Sequence, residues 1–306
     1  MKAQLQTPIL YLMFNRPDLV KQTFPQIKAQ RPKQLFIGAD GPRTGNENDR
    51  EKCAECRDWA MSQIDWNCEV KTLFREVNLG CDVAIPESIT WFFDSVKDGI
   101  ILEDDCLPDE TFFNFCSILL DRFRSVPNIM HISGNNFQDN IENDHSYYFS
   151  KYSHSWGWAS WSDRWSKFET NQDQLIDLSD LAHLDKRESH FWKKKLNHEN
   201  VNWDVSWQLT LFLNQGVAIL PQVNLVSNIG ASGVHFSEGD KNPLLFMTRG
   251  TIENVHHPID NKPEISTKKD RFTFDKYYQP RISLIKKLKK VIRTNRLVKR
   301  NKDVND

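Results

Sequence analysis

The stretch GIILEDDCLPDETFFNF, from Gly99 to Phe115, decides the fold prediction. Its first four residues are apolar or glycine, as expected for a short central strand that is buried on both faces of a parallel sheet. Three adjacent acids, Glu103, Asp104 and Asp105, follow directly and repel one another. Pro108 and the acids after it suit the start of a helix. The three acids, called the acid triplet below, therefore either cap this helix or hold a ligand.

Apolar runs alternate with helical patterns up to about residue 135. The spacing predicts strands over 8–14, 34–40, 68–74, 99–103 and 128–134. Helices are predicted between them, including one over 86–96 with Pro86 in its first turn, where a missing N–H costs little. This alternation predicts the α/β class, with an open and mostly parallel sheet.

Ligands of open parallel sheets bind beyond the carboxyl ends of the strands. The residues that follow the predicted strands are polar or glycine, namely Asn15 and Arg16, Asp40 and Gly41, Asn78 and Gly80, the acid triplet, and Gly134 and Asn135. Five strand ends with this chemistry on one edge predict a ligand site. A structural alternative stays open for Asp40, Asn78 and Gly80, which also suit plain turns.

Bulk composition excludes some classes of function. Lys and Arg total 40 residues and Asp and Glu total 41, so the net charge is -1 and favours no nucleic acid. No stretch approaches the ~18 apolar residues of a membrane span, and the N-terminal apolar run lacks a small-residue cleavage site. The six cysteines lie between Cys53 and Cys116 and contain one lone CxxC. We expect reduced thiols and a cytoplasmic protein.

The second part of the chain differs in pattern from the first. We expect three parts: an α/β half over 1–140, a smaller mixed half over 141–260 packed on the same sheet, and a tail over 261–306. Tryptophans are concentrated in the second part, and three of them are candidates for stacking on a flat, partly apolar ligand such as a sugar: Trp156, Trp158 and Trp203. Core packing is the alternative for each.

The segment IILEDDCLPDETFFNF resembles the metal-binding motif of GT-A glycosyltransferases. It is most similar to the animal N-acetylglucosaminyltransferase I group, which has the same order of strand, Glu-Asp-Asp and loop. It also resembles bacterial sugar transferases of surface-polysaccharide loci. The resemblance covers residues 8–236, and 99–115 is its most specific part.

This resemblance implies a GT-A type of sheet, a nucleotide-sugar donor and a divalent cation, Mn2+ or Mg2+, and we expect the donor to be UDP-linked. It implies that Asp105 contacts the metal, while Glu103 and Asp104 contact the ribose or sugar and hold the loop. The nucleotide would lie against the early strand ends, which offer Asn15, Arg16, Asp40, Asn78 and Gly80.

An inverting transferase also needs a base on the side of the sugar opposite the leaving diphosphate. Asp204, in NWDVSWQLTLF, is the candidate, and the resembling family carries its base in a similar Trp-Asp segment. The alternative is a helix-capping or first-turn acid. Asp163 is the second candidate base, with an ion pair to Arg164 or a nearby helix residue as the alternative. His235, which ends a glycine-rich loop, is a candidate metal or diphosphate ligand, with a structural histidine as the alternative.

The tail over 281–306 combines six Ile and Leu residues with many Lys and Arg. Such a basic amphipathic pattern fits contact with an anionic membrane, and a solvated helix fits equally well. The expected function is sugar transfer to a glycan or lipid-linked acceptor in surface polysaccharide synthesis, at the inner face of the membrane. The alternatives are a sugar-nucleotide nucleotidyltransferase and a glycan-binding module that has lost catalysis.

Overall fold

The computed structural model describes residues 3–139, 145–168, 184–196, 202–230, 242–258 and 263–279. The chain forms two compact units, Met1–Thr267 and Lys268–Asp306. In the second unit, the described part consists of most of a short helix, α8 (Thr267–Thr273), and a π-helical turn over Phe274–Tyr278. None of the helices in the described ranges is long and apolar enough to cross a membrane.

The larger unit alternates strands and helices. The strands are β1 (Ile9–Met13), β2 (Gln34–Ala39), β3 (Glu69–Phe74), β4 (Asp98–Glu103), β5 (Cys106–Pro108), β6 (Ile129–Ser133), β7 (Tyr147–Ser150), β8 (Trp158–Trp161), β9 (Val217–Pro221) and β10 (Val226–Asn228). The helices are α1 (Pro17–Gln30), α2 (Glu47–Ser62), α3 (Cys81–Phe93), α4 (Glu110–Arg122), α5 (Ser162–Trp165), α6 (Lys186–Leu196) and α7 (Trp203–Leu213).

Eight strands of the described chain form one open sheet in the order β3-β2-β1-β4-β8-β6-β9-β7. Six of them run in one direction, while β8 and β7 run against the others. The prediction of an α/β fold with an open, mostly parallel sheet is confirmed. Strands from both sides of residue 140 share this sheet.

Strand β1 shows how the sheet is buried on both faces. Ile9, Tyr11 and Met13 point to one face, where they pack with apolar residues of α1 and α4. Leu10 and Leu12 point to the other face, which is covered by α3 and α7. Because side chains alternate along a strand, a strand covered on both sides is apolar throughout. This burial fixes the strand ends, and hence the residues that follow them, at one edge of the sheet.

A small second sheet extends this edge. Strand β5 follows the acid triplet and pairs antiparallel with β10, so that Cys106 lies opposite Asn228 and Pro108 lies opposite Val226. The pairing brings a segment from late in the chain next to Asp105. The edge formed by the ends of β1, β2, β4 and β6 together with β5 and β10 is called the carboxyl edge below.

Helix α3 differs from the prediction. It begins at Cys81, so that Pro86 lies inside the helix, not in its first turn. The helix start is set by the preceding loop, in which the backbone N–H groups of Leu79 and Gly80 donate to the carboxylate of Asp40. The prediction of a start near Pro86 was wrong because this contact joins residues far apart in the sequence. The earlier start brings the first turn of α3 to the carboxyl edge.

Candidate functional site

Arg16 joins two members of the acid triplet. It precedes α1, and its guanidinium donates through Nη1 to Asp105 Oδ2 at 2.9 Å and through Nη2 to Asp104 Oδ1. Burial opposes the charged form of Arg16, but the attraction of Asp104 and Asp105 outweighs burial and raises the pKa of the guanidinium. Arg16 therefore remains a cation and compensates about one of the two carboxylate charges.

The two acids that Arg16 joins have different surroundings. The side chain of Asp104 is 2% exposed, and its Oδ2 also accepts from the backbone N–H of Phe14 at 3.3 Å. Its backbone carbonyl accepts from the Thr23 hydroxyl at 3.2 Å. Asp105 is 15% exposed, and its backbone carbonyl accepts from Ile229 N–H at 2.9 Å. Asp104 is thus a structural anchor of the edge, whereas Asp105 presents a carboxylate at its surface.

Glu103 lies among like charges, which Arg16 offsets only in part. It is the last residue of β4 and is partly exposed. Burial raises the pKa of Glu103 well above its ordinary value, and the negative charges of Asp105, Asp104 and Asp204 raise it further, against the opposing effect of Arg16. Three other carboxylates therefore lie within electrostatic reach of Glu103. A second positive charge near them would relieve the repulsion.

Asp204 approaches the acid triplet from the opposite half of the chain. It is exposed in the first turn of α7, and its Oδ1 accepts from Val205 N–H at 2.9 Å. The start of α7 is held from α3, because Asp82 Oδ1 accepts from Trp203 N–H at 3.1 Å. Two helices thus meet at the edge, and Asp204 projects from their junction. A carboxylate in a first turn is also favoured by the helix dipole.

Asp163, the second candidate base, lies elsewhere. It is in α5, directly after β8, and pairs with Arg164. Because Trp161 lies opposite Asp98 in the sheet, α5 is at the amino end of β4. The length of β4 separates that end from Glu103 by roughly 17 Å. The structure therefore does not bring Asp163 to the acid triplet.

Asp40 shapes the loop before α3. Its carboxylate accepts from the backbone N–H groups of Gly41, Leu79 and Gly80 and from Asn78 Nδ2, all at 2.8–3.2 Å. A carboxylate has about four lone-pair positions, so these four donors occupy nearly all of the positions at which Asp40 can accept a hydrogen bond. The turn alternative accounts for Asp40 fully, and a direct bond from Asp40 to a nucleotide would displace one of these donors.

Asn78 and Gly80 belong to the same loop. The second contact of Asn78 Nδ2 is the carbonyl of Gly41 at 2.9 Å. Gly80 has φ of 78°, and among the described residues no atom lies within 4 Å of the position that a Cβ would take. Its left-handed backbone explains the glycine. The open space in front of it allows a ligand to approach the main chain.

Asn15 is held by a separate network. Its Nδ2 donates to Asp49 Oδ1 at 2.7 Å, and Asp49 also accepts from the guanidinium and the backbone N–H of Arg43. The Arg43 hydrogen bond is the main cause that lowers the pKa of Asp49 to about 2, and the Asn15 bond adds to it. Asp49 therefore stays ionised and fixes the residue that follows β1.

The three candidate stacking tryptophans have different environments. Trp158 is 1% exposed and packs between the rings of His131 and Trp203, with centroids 4.9 and 6.3 Å away. Trp203 is 7% exposed. Core packing thus accounts for both rings. Trp156 is partly buried against Phe137, at 5.9 Å between centroids, and is the one of the three with a half-open ring.

Several residues at the edge were not singled out from the sequence. A Cβ on Gly230 would lie 2.7 Å from Asp105 Oδ2 and 3.2 Å from Arg16 Nη1, so glycine is needed for the ion pair. One sequence feature could have pointed to Asp49 and Asp82, because both are acids in the first turn of a helix. Such acids are common at helix starts, and their partners here are distant in sequence.

The edge can be tested against the divalent cation that the sequence implies. Its donors are carboxylate oxygens, which hard cations such as Mn2+ and Mg2+ prefer. Across the described ranges, no group of three or more His, Cys, Asp or Glu residues is arranged to hold a metal by itself. The residues fit a cation that binds through Asp105 and completes its shell with phosphate oxygens and water. His235 and the tail over 281–306 lie outside the described residues.

Comparisons with known proteins give no sequence relative. No family model matches the chain. No curated protein matches it either.

Solved structures share part of the architecture. A mannosyltransferase from Pyrobaculum calidifontis in complex with GDP-Man and Mn2+ is 12% identical, with a TM-score of 0.37 over 63% of this chain and 52% of that one. This chain thus spans about half of that protein. A UDP-glucose pyrophosphorylase complexed with UDP-glucose is 7% identical, with a TM-score of 0.36 over 71% and 90%. Mouse xyloside xylosyltransferase 1 is 10% identical, with a TM-score of 0.36 over 65% and 80%. Likenesses this low establish neither a family nor an activity.

Proposed function

We propose that this chain is a metal-dependent glycosyltransferase, which moves a sugar from a nucleoside-diphosphate sugar to a hydroxyl of a saccharide or lipid-linked acceptor with inversion. The observation that carries the proposal is the group of carboxylates at the carboxyl edge, where Arg16 pairs with Asp104 and Asp105, and where Asp204 also lies within electrostatic reach of Glu103. The motif resemblance to GT-A glycosyltransferases indicates what these carboxylates would bind, namely a divalent cation together with the diphosphate of the donor.

Asp105 is the proposed protein ligand of the cation. Its carboxylate is more exposed than that of Asp104, and its Oδ2 is now held by Arg16. When bound, Mn2+ or Mg2+ would neutralise the diphosphate as it leaves. Arg16 offers further N–H donors to the phosphate oxygens, in the planar arrangement that suits oxyanions. Glu103 would accept from a hydroxyl of the ribose or the transferred sugar.

The nucleotide is proposed to lie against the loop before α3 and the end of β1. There Gly80 leaves room for close approach, and the Asp40 and Asp49 networks hold the surrounding backbone and Asn15. These carboxylates act on the loops and do not bind the donor in this proposal. A diphosphate between this loop and Asp105 would present the sugar toward α7.

Asp204 is the proposed base. The acceptor oxygen attacks the anomeric carbon, the bond from that carbon to the diphosphate breaks, and the hydroxyl proton passes to the Asp204 carboxylate. The nucleoside diphosphate leaves with the bonding electrons. Asp204 suits this role because it is exposed at the start of α7, within electrostatic reach of Glu103, while its helix is held by Asp82. Trp156 offers a partly open ring to the sugar side of the site.

The test is a panel of UDP-, GDP- and CMP-sugars, assayed for nucleotide release with Mn2+ and with EDTA in the presence of pooled oligosaccharides. We expect Mn2+-dependent release from one nucleotide class. The Asp204→Asn variant should bind the donor as the wild type does and lose transfer by about 10²- to 10⁴-fold, the usual contribution of a general base. Asp163→Asn is the matched control and should keep full transfer.

Three outcomes would contradict the proposal. Formation of a nucleoside triphosphate and a sugar phosphate from the nucleotide sugar and added pyrophosphate would identify a nucleotidyltransferase. Absence of turnover with every donor, combined with oligosaccharide binding, would favour a glycan-binding module. Unchanged transfer by Asp204→Asn would remove Asp204 from the mechanism.

A further inference from the structure

Phe246 stands out by its backbone conformation. Among non-glycine residues of the described chain, three have positive φ, namely Arg31, Gln215 and Phe246. Arg31 and Gln215 follow the ends of α1 and α7, where a left-handed residue is ordinary. Phe246 has φ of 56° in a turn that ends no helix. A bulky side chain in this region is strained, so the surrounding structure must impose the conformation.

The contacts around Phe246 supply this constraint. Its backbone N–H donates to the carbonyl of Asn228 at 2.9 Å. The next residues of the segment are bonded as well. The carbonyl of Met247 accepts from the hydroxyl of Ser227, and Arg249 Nη1 donates to the carbonyl of Pro108 at 2.8 Å. The segment is thus fastened to β10 and β5. Hydrogen bonds that involve the main chain maintain the strained conformation, whereas the ring packs little against the core.

The ring of Phe246 is directed away from the core. Phe246 is 59% exposed. Among the exposed large hydrophobic residues of the described ranges, it is the aromatic one. An exposed Phe gains little stability from burial, and its backbone conformation costs stability. Both observations together leave an aromatic ring on a fixed backbone, accessible to a contact from outside the folded chain.

The position of Phe246 relates it to the candidate site. It is bonded to Asn228, whose side chain Oδ1 accepts from Gly230 N–H at 2.9 Å. Gly230 lies against the carboxylate of Asp105.

In the sheet order, β2 with Asp40 lies on one side of β4, and β6 lies on the other. Val226 N–H of β10 donates to the carbonyl of Gly134, which follows β6, at 3.1 Å. The strand β10, to which Phe246 is bonded, therefore lies on the side of β4 away from the proposed nucleotide position.

We infer that Phe246 is a stacking platform for a pyranose ring of the acceptor saccharide. The C–H faces of a pyranose are apolar and weakly positive, and they match the negative face of an aromatic ring. The acceptor role rests on the proposed function. The saccharide contact itself does not depend on catalysis and is tested without donor or metal.

The binding test uses an array of printed oligosaccharides that contain hexoses, N-acetylhexosamines, deoxyhexoses and uronic acids. The full chain and its Phe246→Gly, Phe246→Ala and Phe246→Trp variants are compared at equal concentration. We expect the wild type and Phe246→Trp to bind a common subset, and both small variants to lose at least about tenfold in affinity. Met61→Ala, which shortens an exposed apolar residue on α2, should bind as the wild type does.

Thermal denaturation of the same variants tests the strain. Alanine normally gives a more stable protein than glycine, but at positive φ the order reverses. We expect Phe246→Gly to melt at least about 2 °C above Phe246→Ala. Loss of saccharide binding together with this order of Tm separates a binding role from a folding defect.

The proposal fails if the wild type binds no saccharide on the array or if Phe246→Gly binds as well as the wild type. It also fails if Phe246→Ala changes the oligomeric state in sedimentation, since the ring would then contact a second copy of the chain. Absence of donor turnover would contradict the proposed function and leave the array result to decide the saccharide contact.

Discussion

The two sides of the carboxyl edge use similar residues in different ways. On the side of β1 and β2, Asp40 and Asp49 accept hydrogen bonds from neighbouring loops with nearly all of their capacity. On the side of β4 and α7, Arg16 pairs with Asp104 and Asp105, and the charges of Asp105, Asp104 and Asp204 all act against the ionised form of Glu103. We call these the bonded side and the charged side.

The comparison shows why residue type alone does not identify a site. Each side presents acids at the end of a buried strand, with Asp40 after β2 and the acid triplet at the end of β4. The bonded side satisfies its acids internally, so that its acids stabilise loops. The charged side leaves a deficit of positive charge, which a cation and its diphosphate would fill. Counting hydrogen bonds and charges therefore separates structural acids from candidate functional ones.

The largest expected change in stability comes from Asp40 on the bonded side. Asp40→Ala removes the acceptor for three backbone N–H groups, so we expect the free energy of unfolding to fall by about 2–3 kcal/mol. Urea titration at pH 7.5 measures this loss. Asp40→Asn is the matched control, because its amide oxygen still accepts, and it should lose about half as much. A change below the error of the titration in both variants would show that the bonded side is not held by Asp40.

Asp49 should give a smaller, acid-dependent effect. Its pKa falls from the ordinary value of 3.8 to about 2, chiefly because Arg43 donates hydrogen bonds to it. A lowered folded-state pKa contributes stability that is present above the ordinary value and is lost as the pH falls toward the folded value. The stability difference between wild type and Asp49→Asn should therefore shrink as the pH falls from about 4 to about 2. Melting temperatures across this range test it, and a constant difference would contradict the shift.

Glu103, on the charged side, should show the opposite sign. Its raised pKa means that the folded state disfavours the charged form, so stability is lost as the pH rises above the ordinary value. We expect Glu103→Gln to stabilise the metal-free protein at pH 7.5 by up to ~1 kcal/mol, the scale of a partly exposed charge pair. The gain should vanish near pH 4. Destabilisation at pH 7.5 would show that the charge of Glu103 is compensated after all.

The sequence predicted five of the eight strands of the described sheet well and the site contacts poorly, for physical reasons. A strand such as β4 is buried on both faces, so its apolar run marks its ends directly. The start of α3 depends on Asp40, which is about forty residues away in the chain, and no local pattern carries that contact. Trp158 was ambiguous because β8 lies between β4 and β6, an arrangement that sequential spacing does not indicate.

The measurement that tests the central claim most directly is a calorimetric titration of UDP, GDP and CMP into the protein, with Mn2+ and with EDTA. The claim is that the charged side binds a cation together with a nucleotide phosphate through Asp105. We predict that Mn2+ strengthens binding of one nucleotide by at least about 100-fold in the wild type and in Asp204→Asn, and that Asp105→Ala loses this gain. Equal binding with Mn2+ and EDTA, or an unchanged gain in Asp105→Ala, would contradict the account.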